Sequence, residues 1–199
     1  MDKPAITSVP INEILARRWS GRAYDPDKPV KREHLIACFE AARWAPSNFG
    51  DEPWRYIVWV RAENEELWRK AFDCLSHGNQ EWVINAPVLM ASFAHKYFTH
   101  NKRPNRWGEH DVGAASVSMA IQAASMGLMV HQMGGFDADK LREAFSVPDE
   151  FTPMAMMTLG WPSNPDVLNE KNKDREFAPR EREPLQDHFF EGVWGKGIE

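Results

Sequence analysis

Arginine and serine side chains are concentrated in one six-residue run near the N-terminus, RRWSGR over residues 17–22. Guanidinium groups bind phosphate through paired N–H donors, which makes arginine the side chain best suited to a phosphate ligand. The guanidinium groups of Arg17, Arg18 and Arg22, together with the Ser20 hydroxyl, could therefore surround a phosphate. A solvated basic surface explains the same run when it is read alone.

A second basic pair, Arg180 and Arg182, lies in the C-terminal segment and is followed by Pro184 and Leu185. Alternate side chains of an extended segment point to the same side, so both guanidinium groups would face one ligand. A solvated tail is the alternative interpretation of this pair.

Two loops could approach a flat ligand. Residues 45–54, APSNFGDEPW, form a turn-rich link with many backbone and side-chain donors. Residues 133–137, MGGFD, contain two successive glycines, and glycine lets a backbone N–H come close to a ligand. Each loop also has a purely structural interpretation. The first would be a plain connection, and the second a tight turn in which Asp137 caps the following helix.

Helical and strand patterns alternate along the chain without repeats. The spacing of apolar residues predicts helices over 11–18, 31–45, 63–74, 111–127 and 137–145, and strands over 54–60, 86–94, 154–161 and within 128–136. A parallel, doubly wound sheet would fit this alternation. However, the glycine-rich turn of dinucleotide-binding folds does not follow the first strand. The pattern therefore favours an α+β sandwich.

Two segments have no partner that the sequence identifies. The helix predicted over 111–127 is nearly uncharged and apolar almost all round, so it must be buried or lie at a subunit interface. The segment after Pro162 is polar and punctuated by proline, so we expect it to wrap another surface, to be disordered, or both.

The composition indicates an ordinary globular chain. Its 199 residues contain 43% hydrophobic and 27% charged residues, with a net charge of −5. This balance gives no indication of a nucleic-acid or membrane partner. Since neither a signal peptide nor a membrane-spanning stretch is evident, we expect a soluble, cytoplasmic protein. Cys38 and Cys74 lie in predicted helices, where we expect free thiols.

Taken together and in order, these segments resemble the FMN-dependent nitroreductase family. The arginine-serine-arginine run resembles that family's opening motif, and APSNFGDEPWRYIV resembles its link into the first strand. HGNQEWVINAPVLM is similar to its asparagine-bearing segment, DVGAASVSMAIQAASMGL to its long central helix, MGGFD to its flavin N5 loop and REREPLQDHFFEGVWG to its C-terminal segment. The similar segments extend from about residue 11 to residue 195.

The resemblance implies a fold and an activity. The fold would be a three-layer α+β sandwich, with a mixed or antiparallel central sheet flanked by helices. Residues 1–162 would form the FMN-binding core, and residues 163–199 would embrace the partner subunit of a homodimer with shared active sites. The enzyme would transfer hydride from NADH or NADPH through FMN to small electron-poor acceptors such as nitroaromatics, quinones or enones. Donor and acceptor would use one slot in turn, a ping-pong scheme. The reactive centre would be flavin N5, so no side chain is expected to be catalytic.

The resemblance also implies which residues contact FMN. Arg18 and Ser20 would hold its phosphate and ribityl end, and Arg22 would approach N1 and O2 of the ring. Further contacts would come from Trp19 through its backbone, from Asn79, Met133, Gly134 and Gly135 at the ring, from Arg180 and Arg182 at the phosphate, and from Pro46, Ser47 and Asn48 of the other subunit. We expect Phe49 and Trp107 to form walls of the substrate pocket.

Three residues depart from the family pattern. Gly50 and Glu52 stand where the family has an asparagine and a glutamine, and Trp82 stands where a lysine often contacts the flavin. Losing these polar groups weakens hydrogen bonding to the flavin ring, by about 1–3 kcal/mol per charged contact.

Other functions stay open at this point. The same fold could perform another flavin reaction, such as reductive dehalogenation or flavin cleavage, or the chain could bind FMN without catalysis. A metal hydrolase is disfavoured, because the four histidines at 77, 95, 100 and 110 lack the paired spacing of a metal site.

Overall fold

The computed structural model describes residues 2–198; Met1 and Glu199, at the outer ends of the predicted segments 1–162 and 163–199, lie outside this range. The helices are α1 (Glu13–Arg17), α2 (Arg32–Arg43), α3 (Glu65–Phe72), α4 (His77–Val83), α5 (Gly108–Ser125), α6 (Ala138–Ala144) and α7 (Glu170–Phe177). The strands are β1 (Trp54–Val60), β2 (Val88–His95), β3 (Met129–Met133) and β4 (Phe151–Gly160). Every helix and strand predicted from the sequence pattern is present.

The four strands form one sheet in the order β1-β2-β4-β3. All three neighbouring pairs are antiparallel. The order places β4 between β2 and β3, and β4 runs opposite to both. The resemblance had allowed a mixed or an antiparallel sheet, and the structure is antiparallel.

Helices cover both faces of the sheet, which confirms the three-layer α+β sandwich. Strand β2 is buried along nearly its whole length, and its side chains alternate between two hydrophobic clusters. Leu89 and Phe93 pack on one face with Trp68 of α3. Met90 packs on the other face with Met119 of α5. A strand that is buried on both faces shows a continuous apolar run, as residues 86–94 do.

Two helices, α4 and α7, were not predicted. Helix α4 contains glycine and few apolar residues, yet it buries Trp82. Helix α7, EKNKDREF, is very polar, and its buried residues are Asn172 and Glu176. Because hydrophobic periodicity is the main sequence signal for a helix, a helix that is buried through polar side chains gives none. The segment after Pro162 thus packs on its own chain through α7, as far as Phe177.

The nearly uncharged helix α5 has one face in the core and one face exposed. Val112, Ala115 and Met119 lie in the core. Gly113 and Val117 face outwards, and Val117 is 50% exposed. Among residues 2–198, no helix combines the length and apolar content that a bilayer crossing requires.

Candidate flavin site

Arg180 joins the C-terminal segment to the N-terminal segment. Its guanidinium group donates hydrogen bonds to the carbonyl oxygens of Lys3 at 2.6 Å, Ala16 at 2.8 Å and Arg18 at 3.2 Å. These bonds place the tail arginines beside the end of α1. The two basic runs that the sequence separates by more than 150 residues thus form one cluster, although Arg180 already uses several donors within its own chain.

The cluster holds positive charge without a facing carboxylate. Burial, together with the neighbouring guanidinium groups of Arg180 and Arg182, lowers the pKa of Arg18. Burial and Arg182 likewise lower the pKa of Arg180. In the described part of the chain, none of these three arginines forms an ion pair with an acidic side chain. Like charges held close and left unpaired are typical of an anion-binding site.

The residues between these arginines are held in different ways. Nη1 of Arg18 donates a hydrogen bond to the Ser20 hydroxyl at 3.4 Å, so the two side chains lie side by side. The Trp19 ring packs under the Lys3 ammonium at 4.6 Å, which leaves mainly its backbone for a ligand. The Arg22 guanidinium lies 6.0 Å from the ring centroid of Trp82.

Trp82 is a buried aromatic residue and does not replace the polar contact of the family lysine. Its ring stacks on Tyr24 with the centroids 6.3 Å apart and lies 4.6 Å from the ring of His131. Where the family often has a lysine, this chain therefore has an aromatic ring next to the Arg22 guanidinium.

His131 on β3 is a neighbour of the site that the sequence did not identify. Its Nδ1 lies 3.0 Å from the carbonyl oxygen of Gly21, which fixes Nδ1 as the protonated nitrogen. Burial is the main cause that lowers the pKa of His131 to about 4, and Arg22 and Arg18 lower it further. His131 is therefore neutral near pH 7 and holds the arginine loop by a hydrogen bond alone.

The glycine loop after β3 meets α4. Asn79 Nδ2 donates to the carbonyl oxygen of Gly135 at 2.9 Å. A Cβ at Gly135 would lie 2.8 Å from Asn79 Nδ2 and from Ser76 Oγ, so this close approach requires glycine. Gly134 has open space around its Cα. The Met133 side chain belongs to the core, so only its backbone is available to a ligand.

Strand β3 connects the arginine loop and the glycine loop. His131 contacts Gly21, and Gly134 follows His131 by three residues. A strand rises about 3.4 Å per residue, so the two loops lie about 10 Å apart along this edge. Asp137 also caps α6 by accepting a hydrogen bond from the Lys140 amide at 2.9 Å, so the structural interpretation of MGGFD holds as well.

Residues 46–48, which we expect to reach the flavin of the other subunit, lie near the beginning of α5, and so does Trp107. Pro46, Ser47, Asn48 and Trp107 line one groove together with the beginning of α5. The Asn48 amide donates to the buried Asp111 carboxylate at 2.9 Å, which anchors the loop on the helix.

Phe49 is 80% exposed and has a positive φ of 57°. It packs against the rings of Phe98 and His100 rather than in the groove that Trp107 lines. The predicted pocket walls, Phe49 and Trp107, are therefore both accessible but belong to separate surfaces of one chain. Gly50 and Glu52 in the same loop also have positive φ, and the Glu52 amide donates to Ser47 Oγ at 3.1 Å.

A single chain does not bring these groups together. Arg18 lies in a groove with Ala120 and Ala124, near the end of α5, whereas Asn48 binds Asp111 near its beginning. The 13 residues from Asp111 to Ala124 span about 20 Å of helix. The loop of residues 46–48 is thus about 20 Å from the arginine cluster of its own chain.

Known proteins resemble this chain in sequence and in fold. The model of the nitroreductase family matches residues 15–161. A solved oxidoreductase that contains FMN superposes with a TM-score of 0.90, at 33% identity over 96% of each chain. An uncharacterized 15.4 kDa protein of Mycolicibacterium smegmatis is 38% identical over 49% of this chain and 66% of its own length. The major NAD(P)H-flavin oxidoreductase of Aliivibrio fischeri is 29% identical over 52% of this chain and 44% of its own length.

The depressed pKa of His131 predicts a loss of stability in acid. The unfolded chain protonates this histidine near its ordinary pKa of 6.5, whereas the folded chain does so only near 4. The stability that neutral His131 provides is thus present above about pH 6.5 and is lost as the pH falls towards 4, by about 2–3 kcal/mol. Urea unfolding of the apoprotein across this range should show a shallower pH dependence for His131→Asn. The exposed-site control His77→Asn should follow the wild type, and an unchanged slope for His131→Asn would contradict the prediction.

Proposed function

The chain belongs to the nitroreductase family, and from this premise we propose that it is an FMN-dependent oxidoreductase. It uses NADH or NADPH to reduce small electron-poor molecules such as nitroaromatics, quinones or enones. The observation that carries the proposal is the unpaired cluster of Arg18, Arg180 and Arg182 beside a glycine loop on the same sheet edge.

The residues present fit FMN in their chemistry. A phosphate dianion is the natural partner of guanidinium groups that lack a carboxylate. The open backbone at Gly134 suits the close approach of a flat ring. The Asn79 amide group adds polar atoms beside this loop. A tightly held dinucleotide cofactor such as FAD is disfavoured, because the glycine-rich turn of dinucleotide-binding folds does not follow the first strand.

When bound, FMN supplies the two-electron centre that links a nicotinamide donor to an acceptor. Arg18, Ser20 and Arg182 bind and orient the phosphate end. Arg22 would provide a positive charge next to the bound ring, and a cation there would stabilise the reduced, anionic form. Gly134 offers its backbone N–H to the N5 side of the ring. Donor and acceptor use the same open face in turn, which accounts for a chain with no separate dinucleotide motif.

We propose that two chains complete each site. Within one chain, the loop of Pro46, Ser47 and Asn48 lies about 20 Å from the arginine cluster, because they lie near opposite ends of α5. A two-fold dimer packed through the exposed face of α5 would carry this loop, with Trp107, to the partner's flavin. The tail beyond Arg182 is exposed and carries apolar side chains such as Phe189 and Trp194, which suits an embrace of the partner.

The first test identifies the cofactor and its reduction. The purified protein should contain FMN at one per subunit, and anaerobic NADH or NADPH should bleach its visible absorption. An acceptor panel should then restore the colour. Mass spectrometry that finds FAD, or no flavin after reconstitution, would exclude FMN dependence. A yellow protein that neither nucleotide bleaches would indicate a flavin-binding protein without this activity.

Arg182→Ala tests the phosphate site. Loss of one charged hydrogen-bonding partner should weaken FMN binding by about ten- to a hundredfold, or about 1.5–3 kcal/mol. Riboflavin, which lacks the phosphate, should bind the variant and the wild type with similar affinity. Arg32→Ala, an exposed arginine on α2, is the matched control and should leave FMN affinity unchanged. Equal FMN affinity of Arg182→Ala and wild type would show that Arg182 is a solvated tail charge.

Val117→Arg tests the shared site. A dimer that buries this face, over about 2,000 Å² or more in total, cannot accept an unpaired charge there. Sedimentation should show a monomer, and the monomer should not retain FMN. Leu67→Arg, at a comparably exposed leucine of α3 on the opposite layer, should remain a yellow dimer. A wild-type monomer that binds FMN would refute the shared site.

A further inference from the structure

Glu176, in the last turn of α7, has a buried carboxylate that binds the arginine loop. The residue is 2% exposed. Its two oxygens accept hydrogen bonds from the Arg22 amide, with N···O distances of 3.0 and 2.9 Å. One of these oxygens also accepts a hydrogen bond from the Ala23 amide at 3.3 Å. The two partners are 154 residues apart in the chain.

These bonds fix the backbone of the loop, and the Glu176 charge also acts at longer range to raise the pKa of the Arg22 and Lys3 side chains against the effect of their burial. Within residues 2–198, no lysine, arginine or histidine nitrogen lies within 4 Å of the Glu176 carboxylate. Two successive amides that point at one carboxylate define the direction of the loop. Hydrogen bonds from amides to a charged acceptor are also stronger than those to a neutral one.

The Glu176 carboxylate leaves little room for a side chain at position 21, which is glycine. A Cβ at Gly21 would lie 2.8 Å from Glu176 Oε1 and 2.5 Å from Met129 Sδ. The Gly21 carbonyl oxygen, in turn, accepts from His131 at 3.0 Å. The loop is thus held by its carbonyl on β3 and by its next two amides on α7.

The side chain that this loop carries is Arg22. With its amide fixed by Glu176, the Arg22 guanidinium lies against the Trp82 ring, inside the candidate site. We propose that Glu176 is a positioning residue, which acts through the backbone of residues 21–23 to hold Arg22 in the orientation that binds the flavin. This inference rests on the proposed function.

Two substitutions separate geometry from charge. Glu176→Asp keeps the charge but is one methylene too short to reach both amides, whereas Glu176→Gln keeps the length and removes the charge. Both should weaken FMN binding in the full-length protein by about tenfold, because both lose part of the hydrogen-bonding set. Fluorescence quenching of added FMN measures this affinity. Asp174→Asn, an exposed residue of the same helix, is the control and should not change it.

A double-mutant cycle tests whether Glu176 acts through Arg22. In an Arg22→Ala background, Glu176→Asp should have no further effect on FMN affinity, since coupled residues are not additive. Additive losses would overturn the proposal, and so would tighter FMN binding by Glu176→Gln, which would indicate that the charge matters and the geometry does not.

Hydrogen exchange tests the same contacts in the wild-type protein and in a variant. The Arg22 and Ala23 amides of the wild-type protein should exchange slowly, and Glu176→Asp should speed their exchange. Fast exchange in the wild type would overturn the proposal even if the variants failed to fold. A wild-type protein that binds no FMN would refute the proposed function, whereas normal FMN binding by folded Glu176 variants would refute only this inference.

Discussion

Mutual repulsion among the guanidinium groups of Arg18, Arg180 and Arg182 is the constraint on which the site depends. Holding like charges together without a facing carboxylate costs free energy, so the surrounding chain must fix them. Arg180 is fixed by carbonyl oxygens of the N-terminal segment. The loop that carries Arg22 is fixed by Glu176 and His131. An anionic ligand such as the phosphate of the proposed flavin would relieve this repulsion.

The antiparallel sheet provides the frame for this arrangement. Because β3 is an edge strand, it can contact Gly21 through His131 and continue into the glycine loop at Gly134. Because β2 is buried on both faces, the sheet lies between two helical layers. Strand β3 joins the arginine loop to the glycine loop within this sheet.

The length of α5 is the reason why we propose that two chains complete each site. The helix joins the arginine end of the molecule to the loop of residues 46–48, and its length keeps them apart in one chain. The same helix has an apolar, exposed outer face around Val117. The feature that divides the site within one chain thus also offers the surface through which a second chain can complete it.

The sequence by itself determined the type and order of nearly all elements. Apolar spacing in α2 records which face that helix buries, and the continuous apolar runs of α5 and β2 record that they are buried. The sequence also determined which residues could do the chemistry, since guanidinium groups and successive glycines are recognisable without a fold. Only the tertiary structure showed that Arg18 and Arg180 are neighbours. It also revealed Glu176 and His131. Both act on the backbone of a loop that is remote in sequence, and contacts with backbone atoms leave no residue pattern.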